Sequence, residues 1–115
     1  MARYTCSLTV VLSEQTIHSA LIDIFQSCRF ELIYDTDDYI MGREIPGDVS
    51  FAQLVTVEGL IDKGLGLSQK AHVSLVIKNE ELPLQANNHC RQMFDNLCQA
   101  IADNPIWQVE QLVSC

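Results

Sequence analysis

NNHCRQMFDNLCQAIAD, residues 87–103, is the stretch on which the fold turns. Cys90, Met93, Phe94, Leu97, Cys98 and Ile101 recur at alternating steps of three and one. An α-helix completes a turn in about 3.6 residues, so these six side chains form one apolar stripe. Arg91, Gln92, Asp95, Asn96 and Gln99 fall on the other side. Asn87 or Asn88 is placed to cap the start by accepting from the orphan N–H groups of the first turn. Pro105 marks the stop, because the residue before a proline is pushed out of helical geometry. Burying each large side chain of such a stripe is worth about 1.5–3 kcal/mol. The helix therefore needs an apolar surface to lie on, and the chain before it supplies one made of strands.

Tyr4–Leu12 alternates, with Tyr4, Cys6, Leu8, Val10 and Leu12 on one side and Thr5, Ser7 and Thr9 on the other. This period of two predicts a strand with one buried face. Ser13 caps a second amphipathic helix over Glu14–Cys28, whose stripe is Ile17, Ala20, Leu21, Ile24, Phe25 and Cys28. Phe30–Tyr34 and Tyr39–Glu44 read as strands joined by the polar turn Asp35-Thr36-Asp37-Asp38. After the break at Pro46-Gly47-Asp48, Phe51–Asp62 reads as a longer run with Gly59 as a bulge. KGLGLSQK, residues 63–70, supplies a turn, and Ala71–Lys78 alternates again. Trp107–Val113 is predicted as a short final strand.

The order is strand, helix, four strands, helix and a closing strand within a single domain over 1–115. Short connections between consecutive strands favour an antiparallel meander, and helices gathered on one face make an α+β sandwich. The order resembles TATA-binding-protein-like and helix-grip (START-like) domains; a ferredoxin-like sandwich with an added hairpin is the competing topology.

Composition narrows the function. The chain has 15 acidic and 7 basic residues, a formal net charge of −8 and a pI near 4.6. Its basic residues are scattered singly in sequence. Nucleic-acid binding draws affinity from neutralising phosphates, so no nucleic-acid partner is expected. Tyr4, Tyr34 and Tyr39 are available to stack on bases, but the net charge has the wrong sign. Repulsion from anionic lipids also argues against a membrane partner. The five cysteines are odd in number and lack a C-x-x-C pair. With no signal peptide legible at the start, they are read as reduced thiols of a cytoplasmic protein.

Candidate chemistry is sparse, and the expectation is a protein that is not an enzyme and holds no metal or cofactor. Asp35, Asp37 and Asp38 crowd one turn but lack the glycine and distal glutamate of a calcium loop. His18, His72 and His89 share no ligand-like spacing. Cys90 and Cys98 lie on a buried stripe rather than in the partly exposed setting of a nucleophile. Glu44 and Glu58 form no carboxylate pair in sequence. Gly64-Leu65-Gly66 precedes neither a Lys-Ser/Thr pair nor a helix, so it is not a phosphate loop. Trp107 is placed to cover a core edge or to enter an interface.

ELPLQANNHCRQMFDNLCQAI together with PGDVSFAQLVTVEGLIDK resembles a group of small cyanobacterial proteins with no assigned activity. The resemblance implies an accessory protein and supplies no site residues. The leading expectation is a non-catalytic interaction or regulatory module, self-associating as a homodimer or meeting another protein. Its expected contact surface is an open sheet edge or an uncovered sheet face; that face carries Thr5, Ser7, Thr9, His72 and Ser74, whose small hydroxyls suit either solvent or a polar partner surface. The alternative is a carrier of a small apolar ligand, with Met93, Phe94, Leu97 and Ile101 lining a helix-grip pocket.

Overall fold

Period-two burial builds the sheet. On the first strand, β1 (Ala2–Val11), Ala2, Cys6, Leu8 and Val10 are buried, while Arg3 and Ser7 are exposed. The computed structural model describes residues 1–11, 14–47, 49–62, 70–81, 88–104 and 108–114. After β1 come α1 (Glu14–Ser27), β2 (Phe30–Asp35), β3 (Tyr39–Glu44), β4 (Thr56–Asp62), β5 (Lys70–Asn79), α2 (His89–Asp103) and β6 (Gln108–Ser114). The six strands form one sheet in the order β2-β3-β4-β5-β1-β6, and every neighbouring pair is antiparallel. The result is an α+β fold with both helices on one face.

The topology explains that placement. Strands β2 to β5 run as an uninterrupted meander, and β1 lies outside it against β5. A ferredoxin-like sandwich interleaves its two βαβ units, so that alternative does not describe the sheet. Because all pairs are antiparallel, β1 and β2 point the same way, and α1 crosses over the sheet to join them. Likewise, α2 joins β5 to β6 across β1. Both crossovers use the same face and enclose one core. Ile17, Leu21, Ile24 and Phe25 come from α1, Cys90, Phe94, Leu97 and Ile101 from α2, and Val57, Val73, Leu75 and Ile77 from the sheet, all no more than 2 % exposed.

Several boundaries differ from the sequence reading. The run predicted as one strand from Phe51 breaks in two. Phe51–Gln53 forms a single 3-10 turn and β4 begins at Thr56. Phe51 is 85 % exposed, so it contributes nothing to the core that would hold an extended strand there. Gly59 is not a bulge; it pairs regularly with Ile40 and Leu75. A Cβ on Gly59 would stand 3.1 Å from Leu21 and 3.3 Å from both Leu75 and Phe25, so the glycine lets α1 sit close on β4. The register shifts lie instead between Leu32 and Tyr34 and between Thr9 and Val10. Of the two predicted caps, Asn88 caps α2, its side chain accepting from the Arg91 N–H at 2.7 Å. The final strand forms as Gln108–Ser114; Trp107, Leu12 and the turn at 63–69 lie outside the described residues.

Candidate functional site: the uncovered face of the sheet

Alternation turns the other half of each strand away from the helices, and strand pairing sets those residues in rows. One end carries Arg43, Thr56, Lys78 and Arg3. The next row is Met41, Glu58, Val76 and Thr5, followed by Tyr39, Leu60, Ser74 and Ser7. Asp62, His72 and Thr9 close the other end. From β2, Glu31 aligns with Arg43 and Tyr34 with Met41. The five residues expected on this face all share it: Ser7 opposes Ser74, Thr9 opposes His72, and Thr5 opposes Val76. Thr9 Oγ1 and His72 Nδ1 are hydrogen-bonded at 3.1 Å.

An apolar patch beside the hydroxyl rows was not singled out from sequence. Tyr34 is 56 % and Leu60 54 % exposed, with Tyr39, Met41 and Val76 half-buried around them. The rings of Tyr34 and Tyr39 meet edge to face at 5.8 Å. Glu58 anchors the patch through an ion pair with Lys78 Nζ at 3.1 Å. Burial first, and then the Glu58 charge, push the Tyr39 phenol above its ordinary range. The missed signal was parity: Tyr39 and Met41, like Leu60, alternate with inward Ile40 and Ile61.

The face is also polarised along the strands. Its first end sets Arg3, Arg43 and Lys78 against Glu31. Toward the other end lie Asp62 and the exposed Asp37 and Asp38 of the β2–β3 turn, with Lys70 registered on Val11 one step beyond. The middle rows carry the hydroxyl and apolar groups.

A second polar cluster lies on the helix side, where α2 begins. Glu44 follows Ile40 and Gly42 on the inward side of β3 and is 4 % exposed. His89 Nε2 donates to its carboxylate, 2.8 Å from one oxygen and 2.9 Å from the other. The Val55 N–H donates to the same carboxylate at 3.1 Å. Glu81 accepts from the backbone N–H groups of His89 and Cys90 at 3.2 and 2.9 Å, and from the Asn79 and Gln53 side chains. Burial raises the Glu81 pKa, but these hydrogen bonds outweigh it and hold the carboxyl below its ordinary value. The first turn of α2 is thus satisfied by a carboxylate, which its positive dipole end also favours. Burial, together with the charges of Glu81 and Glu44, pushes the Cys90 thiol up to about 12. Cys90 therefore stays protonated, and the cluster pins a helix rather than arming a nucleophile. Sequence parity marks Glu44 as inward, but its partner lies 45 residues away.

The other predicted positions are dispersed. Met93, Phe94, Leu97 and Ile101 are 7, 2, 0 and 1 % exposed and belong to the packed core. Of the four, Met93 also borders an open groove of about 370 Å³, lined by Ser27–Arg29, Asn96, Gln99, Ala100 and Asp103. Asp35 is engaged by His18 Nε2 at 2.6 Å, and Asp38 accepts from Thr36 Oγ1 at 3.1 Å. Among the described residues, no group of three or more His, Cys, Asp and Glu side chains is arranged to hold a metal ion. No described helix is long and apolar enough to cross a membrane.

No family model matches the chain, and no curated protein matches it. Among solved structures it is similar to a conserved protein from Geobacillus kaustophilus, at 12 % identity and a TM-score of 0.41, over 86 % of this chain and 91 % of that one.

Proposed function

We propose that this protein is a non-catalytic interaction module that self-associates through the uncovered face of its sheet. The observation that carries the reading is the patch of Tyr34, Tyr39, Met41, Leu60 and Val76, set in register beside rows of small hydroxyl side chains. Contiguous apolar groups rimmed by polar ones mark interaction surfaces more often than scattered exposed residues do. The polarity of the face suits a second copy. A twofold axis lying in the interface, perpendicular to the strands, reverses one face relative to the other. The Arg3–Lys78–Arg43 end of one protomer then meets the Asp37–Asp38–Asp62 end of its partner, and the apolar rows meet in the middle. Such an isologous contact is the commonest way for identical chains to pair. The four described cysteines are free thiols, in keeping with a cytoplasmic setting.

The test is sedimentation velocity of the wild type and of Leu60→Glu over a wide concentration range. A wild-type dimer that Leu60→Glu turns into a monomer, with unchanged far-ultraviolet circular dichroism, is the expected result. A wild type that stays monomeric at every concentration overturns self-association, and a variant that dimerises as well as the wild type overturns the choice of face.

A further inference from the structure

Two residues go against the local rules of their helices, and both line one groove. Helix α1 ends in a turn where the Cys28 N–H donates to the Ile24 carbonyl at 3.1 Å and the Arg29 N–H to the Gln26 carbonyl at 3.2 Å. Arg29 stands there at φ +70°, the one non-glycine residue among those described that has a left-handed backbone. Glycine, or less often asparagine, ordinarily fills that position past a helix, because a Cβ is crowded there. On α2, Asp103 is the last helical residue, and the last turn holds no basic side chain. A carboxylate at the negative end of a helix is disfavoured, and a cation there is favoured. Arg29 and Asp103 both line the open groove of about 370 Å³ between the end of α1 and the flank of α2. Departures from local preference cluster at functional sites, and these two converge on one.

The rest of the groove fits a small molecule between those two charges. Its volume lies at the lower end of the range for ligand sites. Cys28 Sγ donates to the Asn96 carbonyl at 3.9 Å, which fixes the Arg29 end against the middle of α2. Asp103 lies two turns beyond Asn96, about 10 Å along the helix axis. Met93 and Ala100 supply apolar surface between the two ends. Gln99 Nε2 donates to both Asp103 oxygens, at 2.9 and 3.0 Å, and so orients the carboxylate. Each oxygen keeps a lone pair for a second donor. We propose that this groove binds a small zwitterion whose carboxylate and ammonium are separated by a short apolar chain. The Arg29 guanidinium takes the carboxylate. Asp103, helped by the negative end of α2, takes the ammonium. The methylene groups lie on Met93 and Ala100. The groove belongs to the helix layer, so the site is independent of the outer sheet face and its proposed association.

The experiment titrates the isotope-labelled full-length chain with ε-aminocaproate, hexanoate and hexylamine and follows its amide NMR spectrum. The expected result is a saturable shift of the amides lining the groove, Ser27–Arg29 and Met93–Asp103, with ε-aminocaproate. Hexanoate and hexylamine each lack one charge and should bind about ten- to a hundredfold more weakly. Arg29→Gln and Asp103→Asn should each weaken ε-aminocaproate by a similar factor. Asp103→Asn should also level ε-aminocaproate with hexanoate, which a purely structural role for the carboxylate would not do. Should Arg29→Gln fail to fold, Arg29→Gly, which suits the backbone at that position, should show the same loss. The absence of a saturable shift in these segments overturns the proposal. So does hexanoate or hexylamine binding as tightly as the zwitterion, or a folded variant that keeps full affinity.

Discussion

The two faces of the sheet are built from alternate residues of the same strands, yet they are held together differently. The inner face is close-packed: Val57, Val73, Leu75 and Ile77 lie against Phe25, Leu97 and Ile101, all with at most 1 % exposure. Its main charged exception, Glu44, is paired and hydrogen-bonded. The outer face mixes hydroxyls, opposed charges and half-exposed apolar groups, and it relies on lateral contacts such as Lys78–Glu58 and Thr9–His72. Interior packing makes one face decide whether the chain folds. The other face is free to vary without unfolding it, and that latitude allows a surface to be shaped for recognition.

The largest expected effect tests the packed side. Phe25→Ala removes a fully buried ring that packs against Phe30 at 6.1 Å, and it should cost about 3–5 kcal/mol in guanidinium unfolding. Glu44→Leu should cost a comparable roughly 3–5 kcal/mol, because it strands His89 and the Val55 N–H. Adding His89→Leu should recover much of that loss; a double variant no more stable than the single would mean that the pair does more than satisfy its own burial.

Glu81→Gln gives a smaller effect with a defined pH signature. Replacing a carboxylate that caps two backbone N–H groups should cost roughly 1.5–3 kcal/mol at neutral pH. The folded-state pKa of Glu81 is lowered, so its contribution is complete above the ordinary value of 4.5 and is lost as pH falls through the folded value. The stability gap between wild type and variant should therefore narrow in acid unfolding below about pH 4.5. A gap that stays constant to lower pH would place the capping energy elsewhere.

The smallest effect belongs to the outer face. Leu60→Ser should change the stability of the monomer by no more than about 0.5 kcal/mol while weakening association. A large loss of monomer stability would erase the distinction between the two faces.

Much of this arrangement was legible in the sequence because local periodicity carries it. The stripes of α1 and α2 and the alternation of β1 and β5 each predicted the element and the buried side, and from these came the α+β class. The Asn88 cap was readable because a cap acts within one turn. What stayed hidden depends on residues far apart in the chain. Glu44 meets His89, and Tyr34 joins the outer patch only through a register shift in β2. Gly59 was misread for the same reason: its use is the approach of Leu21 and Phe25 from α1, which no local pattern records.

The position of β1 also orders events in time. Each hairpin of the β2–β5 meander joins strands that are consecutive in the chain. Ala2, by contrast, pairs with Asn79, and Val11 with Lys70. As the chain is synthesised, its first strand is therefore among the last to find a partner. Cys6, Leu8 and Val10 stay without their native cover until β5 and α2 have been made. Contacts so distant in sequence slow folding, so docking of β1 into the sheet is the expected late step, and an unpaired β1 the species most prone to aggregate.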